Sequence, residues 1–235
     1  MWIFYRFKLK QLLFFVVIVI LTLGLYRLTN YSAEQTFQDQ KPFYQGSNAR
    51  KSVSFTVNVD WGEEYLPQIL TLFDKHQIKG TFFLTGRWAQ NNPQLVLKIA
   101  KAGHEIGNHG FSHPHVNNLK LEDNIKEIEQ TSEIIYDLTK KRTKFFAPPY
   151  GEYNEVVLEA ARRLNHRTIL WTVDTLDWQN PPPEWITSRV LSKVHNGAII
   201  LMHPTASIAK ALPEIFKGLA DQDYQIEPLE KLIKD

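Results

Sequence analysis

His109 and His113, in HEIGNHGFSHPH, stand four residues apart, so one turn of helical or turn-like chain aims both imidazoles at one point. That spacing suits zinc or a similar divalent ion. Pro114 limits any helix there to a single turn, and His115 reads as a solvated loop residue. Two imidazoles need a carboxylate to complete a facial triad with open positions. Asp60, in VNVDWGEE, is the natural supplier, although an acid closing a strand often caps the next helix instead. The 235-residue chain has no cysteine, which excludes disulfides, Fe–S clusters, thiolate-ligated zinc and cysteine nucleophiles. Any metal has to use His, Asp or Glu.

These residues need elements that bring them together. Short apolar runs ending at Gly, Pro or polar clusters predict seven strands: 53–59, 81–84, 105–108, 144–147, 167–173, 198–202 and, more weakly, 224–227. Helical stripes lie between them, such as Leu66, Ile69, Leu70 and Phe73, or Ile125, Ile128, Ile134 and Ile135. Strand alternating with helix predicts an α/β fold, an irregular and incomplete TIM-like (β/α)7 barrel, with a doubly wound open sheet as the rival. Asp60 closes the first run, His109 and His113 follow the third, Pro148 to Gly151 the fourth, Asp174 and Asp177 the fifth, and His203 the sixth. Barrel enzymes gather chemistry at the C-terminal strand ends, so this distribution points to a metal-dependent hydrolase.

Arg6, Lys8 and Lys10 precede an apolar run from Leu12 to Tyr26, the pattern of an N-terminal membrane-anchoring helix. We expect a signal anchor over 1–28, a polar linker over 29–50 and the working domain over 51–235. The domain is then extracytoplasmic and membrane-anchored, or secreted if the signal is cleaved. The chain carries 27 basic and 25 acidic residues, which argues against a nucleic-acid partner. Removing the first fifty residues leaves 21 basic against 23 acidic, a net charge of −2.

Asp60, H-x-x-x-H at 109–113, PPYG at 148–151, D-T-L-D-W at 174–178 and L-M-H at 201–203 resemble, in that order, the five motifs of the NodB-type polysaccharide deacetylases, carbohydrate esterase family 4. GTFFLTG at 80–86 and GHEIGNHGFSH at 103–113 strengthen the likeness. VNVDWGEE, LWTVDTLDWQ and IILMHPT look most like the subgroup of endospore-forming bacteria. The resemblance implies metal-dependent removal of N-acetyl groups from amino-sugar polymers, peptidoglycan or chitin-like, at the cell envelope or spore wall. It implies a metal, Zn2+ or else Co2+ or Ni2+, at Asp60, His109 and His113. It makes Asp60 also the position of the catalytic base, Tyr150 the donor of an oxyanion-binding backbone N–H, His203 the general acid and Asp177 the carboxylate that orients it. Pro149, Trp178 and Leu201 fall on the substrate side, Trp178 as groove wall and Leu201 beside the acetyl methyl. The partner is an N-acetylated glycan, and the chain is expected to be a monomer.

The likeness departs at two places. The family opens with T-F-D-D-G, and here the stretch is T-V-N-V-D-W-G. Either Asn58 falls on the base, or Asp60 does and Trp61 replaces the ligand; one carboxylate is missing both ways. The Arg expected before PPYG is Ala147, so base and tether are lost together. The leading expectation is a surviving enzyme with Asp60 as base or third ligand, helped by Glu63 or Glu64. The alternative is a catalytically degenerate domain that binds glycan without hydrolysing it. A metal amidohydrolase acting on a small molecule is a third, minor reading.

Overall fold

The first strand, β1 (Ser52–Val59), is buried along its whole length, and its two faces differ. Val53, Phe55, Val57 and Val59 join the main core. Ser54, Thr56 and Asn58, the alternate set, are buried polar residues that point the other way. Such a strand belongs at the centre of a curled parallel sheet, with helices outside and a partly polar lumen inside.

The computed structural model describes residues 14–24, 26 and 41–234. The chain divides into two units, 1–40 and 41–235. In the first, a helix runs over 14–24 with its side chains exposed. Among the described residues no helix is long and apolar enough to cross a membrane. The basic preface and most of the expected linker lie outside the described residues.

In the second unit β1 is followed by α1 (Leu66–Lys75), β2 (Thr81–Leu84), α2 (Gly86–Asn91), α3 (Pro93–Lys101), β3 (Glu105–Asn108), α4 (Leu121–Thr139), β4 (Phe145–Phe146) and α5 (Glu155–Arg163). Then come β5 (Arg167–Thr168), β6 (Val173–Asp174), α6 (Pro183–Lys193), β7 (Ile199–Met202), α7 (Ala206–Asp221), β8 (Gln225–Ile226) and α8 (Leu229–Leu232). The sheet runs β5-β4-β3-β2-β1-β7-β6, with β8 paired to the start of β1, and its pairings are parallel. This is the expected incomplete barrel. Outside it, Phe55, Phe73 and Phe216 meet edge to face, with centroids 5.5 Å apart for Phe55–Phe216 and 5.4 Å for Phe73–Phe216. Inside, Phe83, Phe145, Ile169 and Ile199 pack with Leu229 and Leu232, so α8 belongs to the lumen core.

Two expectations change. The run 167–173, read as one strand, is two edge strands at opposite ends of the sheet. β5 pairs with β4 and β6 with β7, and 169–172 cross the opening between them. Continuous apolar character does not reveal that a chain changes partner midway. The unit also begins at Lys41, so residues 41–50, expected as linker, belong to it. Phe43 bridges to Ile169, and its N–H and carbonyl bond Thr168 and Leu170 at 2.9 and 2.8 Å, filling part of that opening.

Candidate active site

The polar residues of the lumen and the loops after the strands line one cleft of about 320 Å³: Asn58, Asp60, Trp61, His109, His113, Tyr150, Gly151, Trp171, Asp174, Trp178, Leu201 and His203. Strand alternation explains the first two, because residues 58 and 60 share the inward face of β1 and its extension. Pairing of Thr56 with Leu201 brings the inward residues of β7 beside them.

His109 follows β3 and is buried. Its Nδ1 donates to the carbonyl of Ala147 at 2.6 Å, which leaves Nε2 with a free lone pair. Burial first, and then the neighbouring His113, push its pKa down to about 3. Burial also lowers the pKa of His113, against the opposing effect of Asp60. The two rings lie 4.9 Å apart, centroid to centroid. No helix carries them. The segment after β3 is a bent loop in which Gly110 and His113 adopt left-handed backbone, φ 75° and 58°. Glu127 of α4 holds this loop, its carboxylate accepting the N–H groups of Phe111 and Ser112 at 2.7 and 2.8 Å and the Ser112 hydroxyl at 2.8 Å.

Asp60 is occupied differently from the expectation. Its Oδ1 accepts the Thr85 hydroxyl at 2.8 Å, and Nη2 of Arg87 reaches both carboxylate oxygens at 3.2 Å. Thr85 also caps α2 by accepting the Trp88 N–H at 3.3 Å. Among the described residues no three His, Asp or Glu side chains are grouped to hold a metal ion. Two neutral imidazoles suit a divalent ion, but the third donor does not: Asp60 is ion-paired, and Asn58 offers a neutral amide. The residues present therefore do not form the expected triad of Asp60, His109 and His113. Glu63 accepts Trp88 Nε1–H at 3.2 Å, and neither it nor Glu64 lines the cleft.

On the opposite wall the structure brings His203 and Asp177 together. His203 Nδ1 lies 3.1 Å from Oδ1 of the fully buried Asp177. That carboxylate also accepts the His203 N–H at 3.0 Å and the hydroxyls of Thr175 and Thr205 at 2.8 and 3.0 Å. Asp177 touches His203 and does not itself line the cleft. Asp174 Oδ1 accepts the Leu176 N–H at 2.8 Å, and burial raises its pKa. Trp61 lies parallel to the His203 ring, centroids 6.0 Å apart and planes 6° apart. Tyr150, in left-handed backbone at φ 59°, stacks on His115 at 4.3 Å and meets His113 edge-on at 4.6 Å. Trp178 is half exposed at the rim, and Leu201 is buried in the wall. Pro149, expected on the substrate side, is buried and does not line the cleft; it opens the single helical turn that presents Tyr150.

Arg87, Thr85, Glu127 and Trp171 were not singled out from the sequence. Arg87 directly follows GTFFLTG, and the pairing of Val59 with Leu84 places Asp60 beside Thr85. Reading across strand ends, in place of along the chain, finds that pair.

The polysaccharide deacetylase family profile matches residues 45–169. The chain belongs to the polysaccharide deacetylase family. An uncharacterized protein of Bacillus subtilis, YlxY, is 43% identical over 195 residues, 83% of this chain and 61% of that protein. The chain thus spans less than two thirds of that relative. The peptidoglycan-N-acetylmuramic acid deacetylase PdaA of Bacillus subtilis is 30% identical over 81% of this chain and 74% of its own. Among solved structures, a family 4 pseudoenzyme from Bacillus anthracis is 39% identical, with a TM-score of 0.81 over 83% of this chain and 69% of that one, and a mutant of it is described as having restored enzymatic activity. The relatives of this domain therefore include both named deacetylases and a pseudoenzyme.

Proposed function

We propose that this domain recognises an N-acetylated glycan of the peptidoglycan type in its cleft and holds it without removing the acetyl group, as a single chain tethered outside the membrane by its N-terminal segment. The observation that carries this reading is the state of Asp60. Asp60, the cleft acid expected as base or third ligand, is bound by the Arg87 guanidinium and the Thr85 hydroxyl, while Asn58 takes the neighbouring inward position. The pseudoenzyme relative supports it.

In this reading Trp61, Tyr150 and Trp178 present half-exposed aromatic faces to the apolar C–H faces of sugar rings. Leu201 packs against the acetyl methyl. Asn58 and the neutral imidazoles offer hydrogen bonds to the amide and hydroxyl groups. The family's metal, when bound, supplies polarisation of the amide carbonyl and of water; with the third donor engaged elsewhere, no step is assigned to it here.

The Asp177–His203 pair favours a second reading, a hydrolase in which substrate displaces Arg87 from Asp60. One experiment separates the two. The purified chain is titrated with N-acetylglucosamine oligomers and peptidoglycan strands by calorimetry, and acetate is assayed in the same samples with and without added Zn2+. Saturable binding with no acetate above blank is the expected result. Acetate release that disappears in Asp60→Asn and His203→Ala establishes the hydrolase instead.

A further inference from the structure

A second cavity, of about 570 Å³, opens at the other end of the barrel, between the starts of β3 and β4, the ends of α3 and α4, and α8. Its walls and rim differ in chemistry. Ala100, Ile106, Ile135 and Phe145 supply apolar wall, and Lys141, Arg142, Lys144, Lys231 and Lys234 stand around it with two acids, Glu105 and Glu230.

The acids are already engaged. Glu230 Oε1 takes Lys144 at 2.8 Å and Lys234 at 3.3 Å. Glu105 Oε2 accepts the Thr81 hydroxyl at 2.6 Å and the Glu230 N–H at 3.4 Å, and its burial favours the neutral acid. Lys141, Arg142 and Lys231 form no ion pair among the described residues, and the Arg142 guanidinium is braced over the Tyr136 ring at 4.9 Å. A lining with five cations and two acids carries a net charge of +3 even with both acids ionised, on a stretch, 51–235, whose own net charge is −2. Like charges gathered around an apolar hollow are self-repelling until an anion joins them.

We propose that this cavity binds a phosphate ester attached to an apolar chain, the chemistry of an anionic lipid headgroup with its first methylenes. Arg142, Lys141 and Lys231 take the phosphate, and the wall of Ile106, Ile135 and Phe145 takes the chain. The site lies at the strand N-termini, away from the glycan cleft, and does not depend on what that cleft does.

The test uses the full chain in a nonionic detergent, with hexyl phosphate, inorganic phosphate and hexanol as separate probes in calorimetry. Hexyl phosphate should bind saturably and at least about tenfold more tightly than either fragment, and Arg142→Glu with Lys231→Glu should weaken it at least about tenfold. All three cations are exposed, so Lys141→Gln with Lys231→Gln serves as a milder pair, with thermal melting as the check that each variant is folded. Hexyl phosphate binding no better than inorganic phosphate or hexanol, or binding equally to a folded charge-reversed variant, overturns the proposal.

Discussion

Thr85 and Thr205 each do two jobs: their oxygens cap α2 and α7, and their hydroxyl protons go to Asp60 and Asp177. What separates the two acids is the basic group each one meets. Asp177 meets an imidazole, whereas Asp60 meets a guanidinium that is half in solvent. An exposed cation of this kind contributes on the order of 1 kcal/mol, so the clamp on Asp60 is reversible. Arg87→Gln should accordingly tighten divalent-ion binding by about tenfold, read as Co2+ or Zn2+ affinity in calorimetry. Unchanged affinity means that Asp60 does not reach the ion even when released. For Asp177→Asn the expectation is structural: two hydroxyls, a backbone N–H and an imidazole lose a charged acceptor in a dry site, a cost of about 2–4 kcal/mol read as a lower urea midpoint. The imidazoles and Asp177 were legible in the sequence because their motifs are local. The Arg87 clamp was not, because strand register creates it across 27 residues.

The segment after β3 shows how an element positions a site without touching ligand. Its histidines do not share a helical turn; they share a loop whose backbone donors converge on Glu127 of α4. Asn108 adds to the hold, accepting the Gly110 N–H at 2.8 Å and donating to the Ile128 carbonyl at 2.6 Å. Left-handed backbone at His113 costs roughly 1 kcal/mol and persists because these bonds over-determine it. Glu127→Ala should cost about 2–3 kcal/mol in stability and weaken glycan binding at the same time, since three donors lose their acceptor and His113 loses its support. A loss of stability with full glycan affinity would show that the His113 and Tyr150 side of the cleft contributes nothing to recognition. The alternation of strand and helix, and the helical stripes, were readable from periodicity, which local chain geometry imposes. The split of 167–173 into β5 and β6, and the entry of Phe43 into the opening, depend on which neighbour is free to pair, and periodicity carries no such information.

At the scale of the molecule, the parallel sheet sorts chemistry by end, with the cleft of Asp60 and His203 at the strand C-termini and the cationic hollow at the N-termini. Between them the interior holds three histidines whose burial disfavours the charged ring. His104 and His166 are pushed down to about 4 and His109 to about 3, from an ordinary value near 6.5. His104 packs edge-on to Phe73 and Phe82, its Nε2 lacks a partner, and its Nδ1 accepts the Gly80 N–H at 3.2 Å. Each ring binds its proton more readily in the unfolded chain than in the folded one. Stability is therefore full above about pH 6.5 and falls as the pH drops toward the folded values near 4, by roughly 2 kcal/mol per ring at pH 4.5. Urea unfolding at pH 7 and pH 4.5 checks this directly. His104→Leu should lower stability at pH 7, because the Gly80 N–H loses its acceptor, while reducing the difference between the two pH values by about one ring's share. An unchanged difference would remove His104 from the set. A domain that grows more stable on acidification would show that carboxylates, not these imidazoles, govern its response to pH.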